Sequence, residues 1–394
     1  MSLGDPAGGG GATIRFHAFL QQWAPAYLER FGAAMPPRQR TVLAKLLACR
    51  TPALGGQLYG CPACGLYHYV YHSCNDRHCP QCGQTDTAEW LEAHRSLLVP
   101  APYFLVTFTV PEALRGWLRS HPKLGLKLLF DTSAQALQEL AREPRRLGAS
   151  LGLLGVLHTW SRTLLYHPHV HYLVPGGGLS LDQRQWVPSR PNFLIHVHPL
   201  ADHFRTLFRR ALERHAPEVL AALPAKVWKS RWVVHSQPAG SGQQALGYLS
   251  RYVFKTATGN RVLRLLPDGR VEWPYRDSQT GKTARVALEP GELIRRFLQH
   301  VLPAGFHRVR RFGWLHPAGR RKLNRVRALL GQAPRLSEAE QAAWQPPAEL
   351  SEPPELAPAA PSGPLCPRCQ RPMMCLGSWR PGQPRLQPPE RAPP

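Results

Sequence analysis

The sequence predicts an α+β fold, in which an N-terminal zinc-binding module precedes a larger domain with a central antiparallel sheet flanked by helices, and a disordered C-terminal tail follows. Three observations lead to this prediction. Two Cys-x-x-Cys pairs lie close together, at 61–64 and 79–82. Runs of alternating and β-branched residues, such as 103–110 and 169–174, are interleaved with runs of helical periodicity. The stretch 333–364 is rich in Pro, Ala and Glu, which is typical of a disordered segment.

The composition favours a nucleic-acid partner. The 394 residues carry 49 Lys and Arg against 25 Asp and Glu, a formal charge of +24, and 43% of them are hydrophobic, which supports an ordinary buried core. Such an excess of positive charge attracts polyanions through counterion release. A membrane partner is disfavoured, because neither a basic amphipathic anchor nor a membrane-spanning apolar run is present. Residues 1–13 lack the order of a signal peptide, so we expect an intracellular protein with reduced cysteines.

The chain divides by composition and pattern into five parts. These are a flexible leader (1–12), a helical and zinc-binding domain (13–98), the large domain (99–330), a disordered acidic Pro/Ala/Glu linker (331–364), and a Cys-x-x-Cys knuckle with a Pro-rich tail (365–394). In the zinc-binding domain, apolar residues at helical spacing predict helices at 14–31 and 38–49.

Four cysteines have the spacing of a structural zinc site. Their spacing is C-x2-C-x14-C-x2-C, and four thiolates can close a tetrahedron around Zn²⁺. The predicted ligands are Cys61, Cys64, Cys79 and Cys82. Cys74 and His78 lie inside the loop between the pairs, and either could replace one of the four. At the C-terminal end, Cys366, Cys369 and Cys375 lack a nearby histidine and make an incomplete site.

The large domain alternates between strand and helix patterns. The predicted strands are 103–110, 151–162, 169–174, 226–235, 261–266, 271–275 and 283–288, with a hairpin around 181–184. The predicted helices are 112–120, 123–143, 200–215, 243–255, 289–301 and 317–330, with a further linking helix at 84–98.

A pair of histidines is the most informative feature of the large domain. On a strand, His169 and His171 share one face, and both imidazoles can then reach a single divalent ion. If 151–162 forms a hairpin with this strand, His158 is the candidate third ligand, although its register is not fixed by the sequence. His167 could take its place. The alternative interpretation is that these histidines are polar side chains on a half-exposed sheet.

Two tyrosines lie one turn apart in the predicted helix 243–255. Tyr248 and Tyr252 are at i and i+4, so they share a face, and Arg251 and Lys255 lie beside them. The alternative interpretation is an aromatic stripe that packs into the core.

The combination of His-hydrophobic-His with a later helix bearing Tyr-x-x-x-Tyr resembles the HUH nucleases, which include rolling-circle replication initiators, relaxases and rolling-circle transposases. The sequences of residues 165–171 and 248–253 resemble those of one branch, the insertion-sequence-91 family of transposases. The sequence of residues 73–82 resembles the zinc-binding domain of the same family. The resemblance runs from about 14 to 330 and identifies 99–330 as an HUH-type transposase or nuclease domain.

This resemblance implies a specific chemistry and setting. His169 and His171, with His158 or another group, would hold a catalytic Mg or Mn ion, besides the structural Zn. Tyr248 or Tyr252 would attack DNA and leave a 5′-phosphotyrosine link. The implied partner is DNA, in the form of single-stranded insertion-sequence ends and target, in the cytoplasm of a bacterium and in its nucleoid.

A basic and aromatic run supports a DNA partner. Residues 305–314 interleave Arg308, Arg310 and Arg311 with aromatic side chains, and such a run can stack unpaired bases while it neutralises phosphates. Solvated arginines on the rim of a sheet are the alternative interpretation. We predict Arg251, Lys255 and these three arginines as DNA-binding residues.

Two other functions remain open from the sequence. A metallohydrolase could use the His-x-His pair to bind a hydroxide, although 172–175 supply none of the further ligands that such sites recruit. A non-catalytic zinc protein could bind nucleic acid without cutting it. A covalent protein–DNA adduct would exclude the metallohydrolase, and metal-dependent nicking of DNA would exclude the non-catalytic protein.

Overall fold

The computed structural model describes residues 12–82, 86–253, 258–277, 280–335 and 363–389, with 86–89, 248 and 250–253 described by their backbone alone. The strands are β1 (Thr13–Arg15), β2 (Gly56–Gly60), β3 (Tyr67–Tyr71), β4 (Pro102–Thr109), β5 (Ala149–Ser150), β6 (Gly152–Trp160), β7 (Tyr166–Pro175), β8 (Gly177–Ser180), β9 (Trp186–Pro188), β10 (Val234–Ser241), β11 (Val262–Leu265), β12 (Val271–Arg276), β13 (Thr283–Leu288), β14 (Val309–Gly313) and β15 (Met374–Trp379). The helices are α1 (Phe16–Phe31), α2 (Pro37–Ala48), α3 (Asp86–Arg95), α4 (Glu112–Ser120), α5 (Pro122–Arg142), α6 (Val197–His215), α7 (Pro217–Ala222), α8 (Lys226–Lys229), α9 (Gly242–Val253), α10 (Pro290–Leu298) and α11 (Arg320–Leu329).

The central sheet has five strands in the order β10-β4-β7-β6-β14, and all neighbouring pairs are antiparallel. Its strands are largely apolar on both faces, which is the pattern of a sheet covered by helices on both sides. The face that bears Val170, Tyr172 and Val174 packs against α4, α5 and α6. The opposite face, which bears Leu173, packs against α9 and α11. The predicted α+β fold, with a central antiparallel sheet flanked by helices, is confirmed.

The N-terminal helices pack on a second sheet, of order β1-β11-β12-β13, and on α10. Phe16 packs against the rings of Trp273 and Phe297, at centroid distances of 6.4 and 5.2 Å. The predicted boundary at residues 98 and 99 therefore does not separate two cores. The apolar stripes of the N-terminal helices were correctly predicted, but periodicity does not reveal which distant segment covers them.

Two smaller sheets complete the described part of the fold. The hairpin of β8 and β9 pairs with β5, and its turn lies at the predicted position. The third sheet has the order β15-β2-β3, so that Met374 pairs with Gly60 at the opposite end of the chain. Part of the predicted C-terminal tail is therefore a strand of the N-terminal module. The leader and most of the acidic linker lie outside the described residues.

The predicted strand at 226–235 is wrong over most of its length. Residues Lys226–Lys229 form a short helix, and the strand extends from Val234 to Ser241. It thus includes Pro238 and Gly240, where the register shifts. β10 is an edge strand, and an edge strand with a bulge tolerates a proline because one side of its backbone needs no partner.

None of the helices in the described part of the chain is both long enough and apolar enough to cross a lipid bilayer.

The central sheet depends on a glycine that leaves room for a ring. A Cβ at Gly155 would lie 2.6 Å from Cε1 of Tyr172. That ring cannot swing away, because the Tyr172 hydroxyl lies 2.8 Å from the Ser133 hydroxyl and donates to the Phe130 carbonyl oxygen at 3.0 Å.

We therefore expect Gly155→Ala to lower the free energy of unfolding by about 1–3 kcal/mol, the usual cost of overpacking. Gly116→Ala is the matched control, since a Cβ there meets nothing within 4 Å and the residue is exposed on α4. This control should raise the free energy of unfolding by up to about 1 kcal/mol. Urea denaturation of the purified variants measures both, and equal stability of the two would contradict the argument.

Candidate metal sites and active site

Three histidines converge on one face of the central sheet. In the pairing of β6 with β7, His158 lies directly opposite His169. His171 is two residues further along the same face, and its ring centroid lies 4.5 Å from that of His158. One nitrogen from each of these three rings lies within 4.8 Å of the others. His167, the alternative third ligand, does not belong to this group.

Hydrogen bonds orient two of the imidazoles. His169 donates from Nδ1 to the carbonyl oxygen of His167 at 2.7 Å. His171 Nδ1 lies 2.7 Å from the hydroxyl of Thr107, its register partner on β4. Metal-binding histidines commonly use one ring nitrogen in this way, which leaves Nε2 for the ion. Thr107 is not among the site residues predicted from the sequence, although a threonine within an apolar strand is a visible signal.

Burial keeps these imidazoles neutral. It lowers the pKa of His169 to about 4 and that of His171 to about 3, because the imidazolium ion loses its hydration. A ring with such a pKa carries no proton on its second nitrogen at pH 7. His169 and His171 are thus in the protonation state that a divalent cation requires.

Helix α9 covers the same face of the sheet. It begins at Gly242, which lies against Tyr103 beside the Pro175 end of β7. Its following turns place Leu246 and Leu249 in the core that also contains Leu173, the face-sharing neighbour of His171. The helix therefore runs along the sheet from the Pro175 end of β7 in the direction of the histidines.

The predicted nucleophiles lie on this helix. Positions 248 and 252 are one turn apart in α9, as predicted. The side chains of Tyr248, Tyr252 and Arg251 lie outside the described residues, and so does the whole of Lys255. Their placement relative to the histidines therefore stays a prediction.

The three predicted DNA-binding arginines near β14 have different surroundings. Arg308 donates to the Leu157 carbonyl oxygen at 3.3 Å, and burial lowers its pKa to about 10. Arg310 forms an ion pair with Asp131 at 3.6 Å. Alternation along β14 places Arg311 on the histidine-bearing face, where Val309 packs into the core beneath α9.

The cysteines form two clusters rather than the single predicted site. One cluster contains Cys49, Cys74, Cys79 and Cys82, and the other contains Cys61, Cys64, Cys366 and Cys369. The predicted set of Cys61, Cys64, Cys79 and Cys82 is thus divided between them. Sequence spacing favours the two nearby pairs, but the fold brings Cys49 from the end of α2 and two cysteines from the C-terminal segment.

The first cluster has the dimensions of a zinc site. Cys49 Sγ lies 3.5 Å from Cys82 Sγ and 3.6 Å from Cys79 Sγ, and Cys74 Sγ lies 3.7 Å from Cys82 Sγ. Four sulfurs at about 2.3 Å from a tetrahedral Zn²⁺ lie about 3.8 Å apart. Of the two alternative ligands, the structure therefore brings Cys74 into this cluster.

His78, the other alternative, has both ring nitrogens engaged elsewhere. Its Nδ1 lies 2.8 Å from Asp76 Oδ1, and its Nε2 accepts from the Leu302 N–H at 3.1 Å. Burial lowers its pKa, which favours the neutral ring that both contacts require. His78 thus ties the cysteine loop to the segment after α10.

We expect the zinc content of two variants to distinguish the role of Cys74 from that of His78. Cys74→Ser should lose about one equivalent of zinc per chain, because three thiolates hold the ion poorly. His78→Gln should keep its zinc and instead lower the free energy of unfolding by about 1–3 kcal/mol, because the buried Asp76 loses a partner. Elemental analysis and urea denaturation of both variants provide the measurements. Loss of zinc from His78→Gln would contradict the assignment.

Comparisons with known proteins find matches to the zinc-binding domain and to the large domain of the chain. A family model described as "Transposase zinc-binding domain" matches residues 19–110, and one described as "Putative transposase" matches residues 152–323. No solved structure matches the chain.

Two curated proteins are similar over most of their length. The "Putative transposase y4qJ" of Sinorhizobium fredii is 38% identical over 333 residues, which cover 80% of this chain and 83% of that protein. The "Transposase for insertion sequence element IS801" of Pseudomonas savastanoi pv. phaseolicola is 30% identical over 291 residues, which cover 69% of this chain and 68% of that protein. With both domain models matched and these relatives covered over more than two thirds of their length, the chain belongs to the insertion-sequence-91 family of transposases.

Proposed function

We propose that this protein is the transposase of a rolling-circle insertion sequence, and that it cuts and rejoins single-stranded DNA through a 5′-phosphotyrosine intermediate. One observation carries the proposal: the cluster of His158, His169 and His171 lies on the sheet face that the tyrosine helix α9 covers.

The histidine cluster would hold a divalent cation. A bound Mg or Mn ion would withdraw charge from the scissile phosphate, which otherwise repels a nucleophile. Three imidazole nitrogens favour Mn over Mg, since Mg prefers oxygen ligands. The Nδ1 contacts of His169 and His171 would leave Nε2 of each ring for the ion.

A phenol on α9 would supply the nucleophile. The phenol of Tyr248 or Tyr252 gives up its proton to solvent and its oxygen forms a bond to phosphorus, while the phosphorus–O3′ bond breaks and the DNA 3′ oxygen leaves and takes up a proton from solvent. The phosphotyrosine ester preserves the energy of the broken bond for rejoining. Two phenols one turn apart allow two successive cleavages, as the transfer of a strand requires.

Single-stranded DNA is the substrate that fits this site best. The reactive cluster lies on a sheet face beneath a helix, and a flexible single strand can bend its phosphate into such a space more easily than a duplex. The formal charge of +24 would attract the phosphates of the DNA backbone. Arg311 lies on the same face of the sheet as the histidines.

We expect the wild-type protein, incubated with a labelled single-stranded oligonucleotide carrying an end of its own element and with Mn or Mg, to form an adduct that survives denaturing electrophoresis. Tyr248→Phe and Tyr252→Phe should each reduce the adduct, and the double variant should abolish it. Tyr275→Phe, on β12 of the second sheet, is the control and should leave it unchanged. An adduct in the double variant would refute the nucleophile assignment. Metal-dependent cleavage without any adduct would indicate a hydrolase, and DNA binding without cleavage would indicate a non-catalytic protein.

The proposal also gives Thr107 a role in orienting His171. Thr107→Val removes the hydroxyl beside Nδ1 while it keeps the shape of the strand. We expect the metal concentration for half-maximal adduct formation to rise about 10–100-fold, as is usual when such a partner is lost. Thr109→Val is the matched control, since its hydroxyl donates to the Val233 carbonyl oxygen instead. Equal metal dependence of the two variants would contradict this role.

A further inference from the structure

We propose that Cys61, Cys64, Cys366 and Cys369 hold a second zinc ion, which fastens the C-terminal segment to the N-terminal module. The first two cysteines belong to the N-terminal module, and the last two lie beyond the acidic linker. Cys61 and Cys369 are 308 positions apart in the sequence. This inference does not depend on the cleavage of DNA.

The sulfur positions fit a tetrahedral zinc site. Cys61 Sγ lies 3.5 Å from Cys369 Sγ, and Cys64 Sγ lies 3.6 Å from Cys366 Sγ. These separations are close to the spacing of about 3.8 Å that a tetrahedral Zn²⁺ imposes on its thiolates. They are far longer than the bond of about 2.05 Å in a disulfide. All four cysteines are free thiols.

The backbone forms the same turn on both sides of the site. After Cys61, the Gly65 N–H donates to the Cys61 carbonyl oxygen at 2.9 Å, and the Cys61 N–H donates to the Leu66 carbonyl oxygen at 2.9 Å. After Cys366, the corresponding bonds from Gln370 and to Arg371 are both 2.8 Å long.

These two turns share an uncommon backbone conformation. The fifth residue of each turn has a positive φ, +67° at Gly65 and +59° at Gln370. A glutamine in this region is strained, so the surrounding structure must enforce the turn. Two equal turns that face each other present two cysteines each to one point, which is how a pair of zinc knuckles closes on an ion.

The small sheet of β15, β2 and β3 has a small hydrophobic cluster of its own. Its buried cluster consists of Tyr59, Cys61, Cys366 and Met373, so half of its buried members are the proposed ligands themselves. β15 adds to the edge of β2, and Trp379 packs edge-on against the rings of Tyr69 and Tyr71. Small units of this kind usually depend on a metal or on disulfides for stability.

The count of thiolate-bound zinc tests the site in the full chain. A thiol-reactive mercurial releases only zinc held by cysteines, so a metal at the histidine cluster does not contribute. We expect two equivalents from the wild type, one from Cys366→Ser/Cys369→Ser and one from Cys61→Ser/Cys64→Ser. The quadruple variant should also keep one, because all four thiolates share a single ion. Cys375→Ser, whose thiol is exposed and outside both clusters, should keep two.

Two results would overturn the proposal. One is a Cys366→Ser/Cys369→Ser variant that keeps both equivalents. The other is a quadruple variant that loses more zinc than either double variant, since this would mean that the two knuckles bind separate ions.

A second experiment keeps the cysteines intact. With a specific protease site introduced between positions 335 and 363, the cleaved C-terminal fragment should co-elute with the rest of the protein in gel filtration. A chelator should release it, as should Cys366→Ser/Cys369→Ser. A fragment that stays bound after zinc removal, or one that separates while zinc is present, would show that this ion does not fasten the segment.

Discussion

The register of β7 against β6 is the constraint on which the candidate site depends. It places His158 opposite His169, and a slip of one residue would turn His158 to the other face of the sheet. The register is fixed by packing, since the ring of Tyr172 occupies the space left by Gly155, its partner across the strands. A residue without a side chain on one face thus decides which imidazoles meet on the other.

The histidine cluster combines burial with directed hydrogen bonds. Burial alone would leave the rings neutral but free to choose a tautomer, and the His167 carbonyl oxygen removes that choice for His169. The neighbouring strand β4 contributes Thr107, whose hydroxyl contacts Nδ1 of His171 and orients that ring. The site is therefore organised by three strands of a rigid sheet, and α9 approaches it from one side. This arrangement supports a metal site that is already formed before the ion binds, and not one that the ion assembles.

The sequence predicted most of the local structure and the histidines of the site. Helical stripes such as 14–31 and the hairpin of 151–162 with 169–174 are local patterns, and the structure confirms them. Segments such as Lys226–Lys229, where basic and aromatic residues carry no clear period, were predicted wrongly.

Contacts between distant segments were the part that the sequence could not supply. Cys49 and Cys366 join different clusters because α2 and β15 are brought to the zinc-binding loops by packing, which spacing does not encode. The pairing of Thr13 with Arg264 is invisible for the same reason. Thr107 was missed because its partner lies on another strand. The tyrosines were predicted from the family resemblance together with their local spacing on one helix, and their role stays a prediction.

The position of β15 in the sequence affects how the protein folds during its synthesis. β2 is the middle strand of its sheet, with β3 on one side and β15 on the other. The ribosome completes β15 about 300 residues after β2, so at about 5–20 residues per second one side of β2 stays without its partner for roughly 15–60 s. During that interval the backbone of β2 is open to pairing with other nascent chains. The synthesis of β15 therefore ends a period in which the pair of β2 and β3 is vulnerable to aggregation.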